Sequence, residues 1–70
     1  MESSLKVIRH TLGLTQSALA SRADIPLRTY KRYEADIDNK EHRTPDAVTA
    51  IRIARVLGTT VEHLWGKVPF

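Results

Sequence analysis

The chain has no cysteine among its 70 residues. That excludes a disulfide framework and a thiolate metal site, the two devices that most often compensate for the small core of a short chain. Its longest uninterrupted apolar stretches run only a few residues, too short to span a bilayer. The start, Met1-Glu2-Ser3-Ser4, lacks the charged and apolar regions of a signal peptide, so a cytoplasmic location is expected. No glycine-rich loop is present to cradle phosphate, and no strand-like alternation, internal repeat or low-complexity tract interrupts the pattern. His10, His42 and His63 are widely spaced, and nothing in the local sequence pairs a nucleophile with a base. Asp36-Ile37-Asp38-Asn39 faintly resembles a calcium loop, but the required glycine is missing and so is the bidentate glutamate that should close it. The sequence therefore predicts no enzyme, no metal and no cofactor.

What is present is a modest apolar content of 41% and an excess of 11 Lys and Arg over 8 Asp and Glu, a formal charge of +3. A chain this short buries only ~60% of its unfolded surface, which suits one small domain over residues 1–70 and leaves little room for an enclosed small-molecule site. The positive balance favours a polyanionic partner.

Three glycines and three prolines punctuate the chain where helices should start or stop. Helix 1 opens after Ser3 or Ser4, lines up Leu5, Ile8 and Leu12, and stops at Gly13. Thr15 caps helix 2, which carries Leu19, Ala20 and Ala23 inward. Asp24 tolerates a left-handed turn, Ile25 plugs the corner, and Pro26 presets φ for helix 3. On helix 3, Tyr30 and Tyr33 take one side and Arg28, Lys31 and Arg32 the other. A polar loop of mixed charge follows from Ala35 to Arg43. Thr44-Pro45-Asp46 then reads as N-cap, first-turn proline and acid for helix 4, which ends at Gly58 with Ala50, Ile53, Ala54 and Leu57 on one face and Val48 and Val56 on the opposite arc. Thr60 caps a last short helix through Val61, Leu64 and Trp65.

From about Gln16 to Glu34 the spacing is that of two helices joined by a turn of three or four residues, with Ala20 and Ala23 permitting a close crossing. Such a crossing projects the basic face of the second helix outward, where it fits a DNA major groove about 12 Å wide. Leu14-Thr15-Gln16, the Leu19-Ala20 pair, the spacing of Ile25, Tyr30 and Tyr33, Glu34, and the run from Leu57 to Leu64 together resemble the phage Cro and lambda-type repressor helix-turn-helix family, over about Leu5 to Trp65. Asp24 stands where that family usually has glycine, and Pro26 where it often has a capping Ser or Thr.

The resemblance implies an all-α, five-helix, lambda-repressor-like domain that binds a double-stranded DNA operator, as a homodimer at least on DNA, with no membrane and no small-molecule substrate. It implies base contacts from Leu27, Arg28 and Arg32, Leu27 being equally able to turn inward. Backbone contacts are implied for Gln16, Thr29 and Lys31, with Thr15 a contact or simply a cap. Lys40, Arg43 and Thr44 flank the backbone in such relatives, although acids at Asp36, Asp38 and Glu41 break the basic strip and a solvated loop is the other reading. Arg9 and Glu34 match a structural ion pair. Trp65, Val68 and Phe70, near or within the tail 66–70, are the candidate dimer contact. The alternative function is a protein-interaction module on the same scaffold, an antitoxin or an antirepressor.

Overall fold

The computed structural model describes residues 4–36 and 38–66. Among them are five α-helices and no strand: α1 Ser4–Thr11, α2 Gln16–Arg22, α3 Leu27–Glu34, α4 Ala47–Leu57 and α5 Val61–Trp65. None is long and apolar enough to cross a membrane. α2 packs against α3 and α4, and α5 against α1 and α4, so α3 is held through α2 while much of its outer side stays free.

Short helices need their ends satisfied, because the first N–H groups have no partner within the helix. Thr15 Oγ1 accepts from the Ala18 N–H at 3.0 Å, and Thr60 Oγ1 from the His63 N–H at 3.1 Å. Helix 4 departs from the sequence reading. Its cap is Asp46, whose Oδ1 accepts from the Thr49 N–H at 2.8 Å, and not Thr44. A carboxylate does this work well because it also meets the positive end of the helix dipole. Hydrogen bonding from Thr49, by its side chain first and then by this backbone N–H, holds the Asp46 carboxyl below the usual range. Pro45, expected in the first turn, instead precedes the cap and is fully buried. Pro26 likewise occupies the N-cap of α3, at φ −57° and ψ 136°, and offers no side-chain cap.

The core gathers Leu5, Leu19, Ala20, Ala23, Ile25, Tyr30, Ile53, Ala54, Leu57 and Leu64. Alanines on α2 and α4 keep the crossing helices close. Two apolar assignments change. Leu12 is 51% exposed, because α1 ends at Thr11 and the helical period no longer applies; Leu14, beyond the Gly13 turn, packs on the core instead. Val56 is half-buried against the core and borders the same hollow as Ala23 and Asp24 at the end of α2, whereas Val48 points to solvent.

The turn between α2 and α3 is closed by the Asp24 N–H donating to Ser21 O at 3.2 Å and the Ile25 N–H to Ala20 O at 2.9 Å. Its geometry puts Asp24 at φ 58°, the one left-handed non-glycine position among the described residues. A side chain there meets steric cost, which aspartate tolerates better than most. Asp24→Gly should therefore change stability by no more than about 1 kcal/mol, in the stabilising direction if the relieved strain exceeds the added chain entropy, whereas Asp24→Val should destabilise by about 1–3 kcal/mol. Urea unfolding of both variants checks this; a valine variant as stable as the parent contradicts it.

Candidate nucleic-acid interface

On α3, residues 27, 28, 31 and 32 are separated by one, three, four or five positions, so their side chains form a continuous patch. Leu27 (38% exposed), Arg28 and Lys31 are open to solvent and Arg32 is half-buried. Together with Glu41 from the following loop they line one shallow, open groove. Leu27 thus faces the groove. Thr29 is half-buried and does not line it.

A second hollow lies beside the first and shares Lys31 with it; Lys6, Arg9, Gln16, Glu34, Asp36 and Asn39 also border it. Gln16 and Lys31, on different helices, are thereby brought to one surface.

Beneath this surface lies the contact that fixes α3. Arg9 Nε donates to Glu34 Oε2 at 2.8 Å and Arg9 Nη2 to Glu34 Oε1 at 2.7 Å, a two-bonded ion pair linking α1 to the end of α3. Arg9 Nη1 donates to Leu14 O at 2.6 Å, so the same guanidinium holds the α1–α2 connection. Gln16 Nε2 donates to Glu34 Oε1 at 3.3 Å. Both charged residues are buried, at 7% and 4% exposure. Burial pushes the Glu34 carboxyl up, but the hydrogen bonds from Arg9, with help from Tyr30 and Gln16, outweigh it and hold it below its ordinary value. The hydrogen bond to Glu34 raises the Arg9 guanidinium, against the effect of its own burial. The Tyr30 hydroxyl is packed next to this pair. It is buried without a hydrogen bond of good geometry, and burial together with the nearby carboxylate raises its pKa strongly.

The loop after α3 is tied back to it. The Arg43 N–H donates to Arg32 O at 3.1 Å, meeting one of the carbonyls that a helix end leaves open, and His42 Nδ1 lies 2.8 Å from Ala35 O. Arg43 Nη1 turns onto the loop's own carbonyls, His42 O at 2.8 Å and Lys40 O at 3.3 Å, which leaves its other guanidinium donors outward. Lys40, Arg43 and Thr44 are exposed. Arg22, Arg52 and Arg55 gather elsewhere, around Asp24 and Val56, so the positive charge is not confined to α3. Trp65 is half-buried against the core of its own chain; Val68 and Phe70 lie outside the described residues. No cluster of three or more metal-type side chains occurs among the described residues.

In the sequence Glu41 is one of several acids that interrupt a basic strip. Only the path of the loop shows it in the groove, and no local signal in the chain marks it.

Because the Glu34 carboxyl is depressed in the fold, its stabilising contribution is present above its unfolded value of about 4.5 and is lost as pH falls through the lower, folded value. Arg9→Ala, which leaves the carboxylate buried without its partner, should cost about 3–5 kcal/mol, a large share of the roughly 4–10 kcal/mol expected for a chain of this size. Glu34→Gln should lose less, since its amide oxygen still accepts from Arg9, and should flatten the fall in urea midpoint between pH 7 and pH 3. An equally steep fall in that variant would place the acid sensitivity elsewhere.

A helix-turn-helix family model matches residues 5–64, from the first turn of α1 into α5. In a comparison with curated proteins, no individual relative matches the chain. With the match covering most of the chain, and with α2, the turn and α3 arranged as described, the chain belongs to the helix-turn-helix family of Cro and lambda-type repressor domains, and is a DNA-binding regulator.

Proposed function

We propose that the chain is a repressor or Cro-like regulator that binds a palindromic operator as a dimer, with α3 in the major groove and half-sites about 34 Å apart. The observation that carries this reading is the unbroken patch of Leu27, Arg28, Lys31 and Arg32 on the open side of a helix anchored from beneath. Arginine fits guanine, because two of its N–H groups reach O6 and N7 together; Leu27 offers an apolar surface for a thymine methyl. Lys31, as a compact point charge, suits phosphate, as does Thr29 at the edge of the patch.

Gln16 has a more defined part in this scheme than an isolated polar residue would. Its amide carries two N–H groups, and with one directed at Glu34 the other remains for a phosphate oxygen. The ion pair thus orients a backbone contact as well as the reading helix. Thr15 is engaged as the cap of α2, which leaves it a secondary contact. Lys40, Arg43 and Thr44 extend the backbone contacts along the loop, where Arg43 is connected through its own N–H to Arg32.

For the dimer, the C-terminal face is the proposed contact: Trp65, packed on the core yet partly open to solvent, together with Val68 and Phe70. An aromatic side chain with one face covered and one open is well suited to the centre of an interface.

Arg28→Ala and Arg32→Ala should each weaken binding to a selected duplex by roughly 10- to 100-fold while leaving affinity for unrelated DNA within a few-fold, as loss of a base contact does. Gln16→Ala should weaken all duplexes alike, as loss of a phosphate contact does. Fluorescence anisotropy on matched and scrambled duplexes separates the two, and unchanged discrimination in the double arginine variant would refute the assignment. The dimer is tested by sedimentation of a chain truncated after Gly66: dissociation should increase, and an unaltered monomer–dimer equilibrium would rule out the tail as the interface.

A further inference from the structure

One side chain in the α3 groove has the wrong sign for a surface that meets phosphate. Glu41 shares the groove with Leu27, Arg28, Lys31 and Arg32. Its backbone is fixed on both sides: its N–H donates to Asn39 Oδ1 at 2.8 Å, and two residues later the Arg43 N–H is bonded to Arg32 O at 3.1 Å. Among the described residues, no hydrogen bond or ion pair engages the Glu41 carboxylate, although three cationic side chains border the same groove. It is exposed, so it pays no desolvation cost and stays available to whatever enters.

We infer that Glu41 is a specificity-determining residue, one that sets the ratio between binding to a chosen DNA sequence and binding to DNA in general. This rests on the reading of the α3 groove as the DNA-contacting surface. A carboxylate accepts hydrogen bonds and cannot donate them, so against phosphate oxygens it only repels. Sequence-independent binding is almost wholly electrostatic, and a fixed negative charge among the groove's cations weakens it. Against base edges the same group behaves differently. In the major groove, cytosine N4 and adenine N6 present N–H donors, and a carboxylate opposite one of them regains in a hydrogen bond what it loses in repulsion. Glu41 therefore acts against the wrong partners more than for the right one, which is how discrimination arises without high total affinity. Arg28 and Arg32, which attract every duplex, cannot supply that difference from their charge alone.

The test uses the full chain, a duplex selected by it from a random pool, and a scrambled duplex of the same length. Glu41→Gln keeps the size of the side chain and removes its charge. Affinity for the scrambled duplex should rise roughly 3- to 10-fold, affinity for the selected duplex should stay level or fall, and the specificity ratio should drop about tenfold. Glu62→Gln, which removes an exposed acid from α5, serves as the control for net charge and should leave the ratio unchanged. A ratio unmoved by Glu41→Gln, whether both affinities rise or neither does, overturns the inference, and so does an equal drop in the Glu62→Gln control. If the parent chain selects no duplex at all, the DNA-reading assignment itself has failed; a parent that selects well beside a Glu41→Gln variant with an unchanged ratio refutes the role of Glu41 alone.

Discussion

The buried pair of Arg9 and Glu34 is the contact on which the arrangement of the reading surface depends. The two residues lie 25 positions apart in sequence, and three donors of one guanidinium reach Glu34 and the Leu14 carbonyl at once. A single side chain from α1 thereby locates the end of α3, the segment leading to α2, and through Glu34 the amide of Gln16. The energetic logic is asymmetric. A satisfied buried pair adds little over an apolar contact of equal volume, but either half alone is a buried charge without a partner. Such a pair favours one placement of α3 over its neighbours because a displaced helix would break several charged hydrogen bonds together.

With α3 fixed from beneath, its outer side can be given over to charge. Helices of eight residues or fewer are unstable alone, and a patch holding Arg28, Lys31 and Arg32 adds mutual repulsion. The helix persists because Tyr30 is fully buried, Ile25 fills the corner before it, and its last turn is held by Arg9 and by the N–H of Arg43. The same bonds connect the groove to the loop, so the side chains proposed to contact bases and those proposed to contact the backbone are tied to one another. Glu41 enters the groove as a consequence of that closure.

Much of this was legible in the chain itself. The Thr15 and Thr60 caps, the left-handed Asp24 and the inward face of Leu19, Ala20, Ile53, Ala54 and Leu57 follow from local rules, because capping and helical period act over a few residues. Errors arose where two local rules competed or where distant segments met. Thr44 and Asp46 are both good N-caps, and the burial of Pro45 decided between them. Leu12 kept the helical period in sequence after the helix had ended at Thr11. The bond from Gln16 to Glu34 and the position of Glu41 depend on tertiary geometry and leave no mark on the sequence nearby.

The central claim is that one surface, built from the start of α2, the outer side of α3 and the loop to α4, receives DNA. Amide chemical-shift mapping of the labelled chain during titration with duplex DNA tests it most directly. The account predicts that the largest changes fall on Gln16, on Leu27 to Arg32 and on Lys40 to Thr44, with α5 and the exposed Val48 side of α4 little affected. Changes centred on α4 and α5, with α3 unmoved, would contradict it.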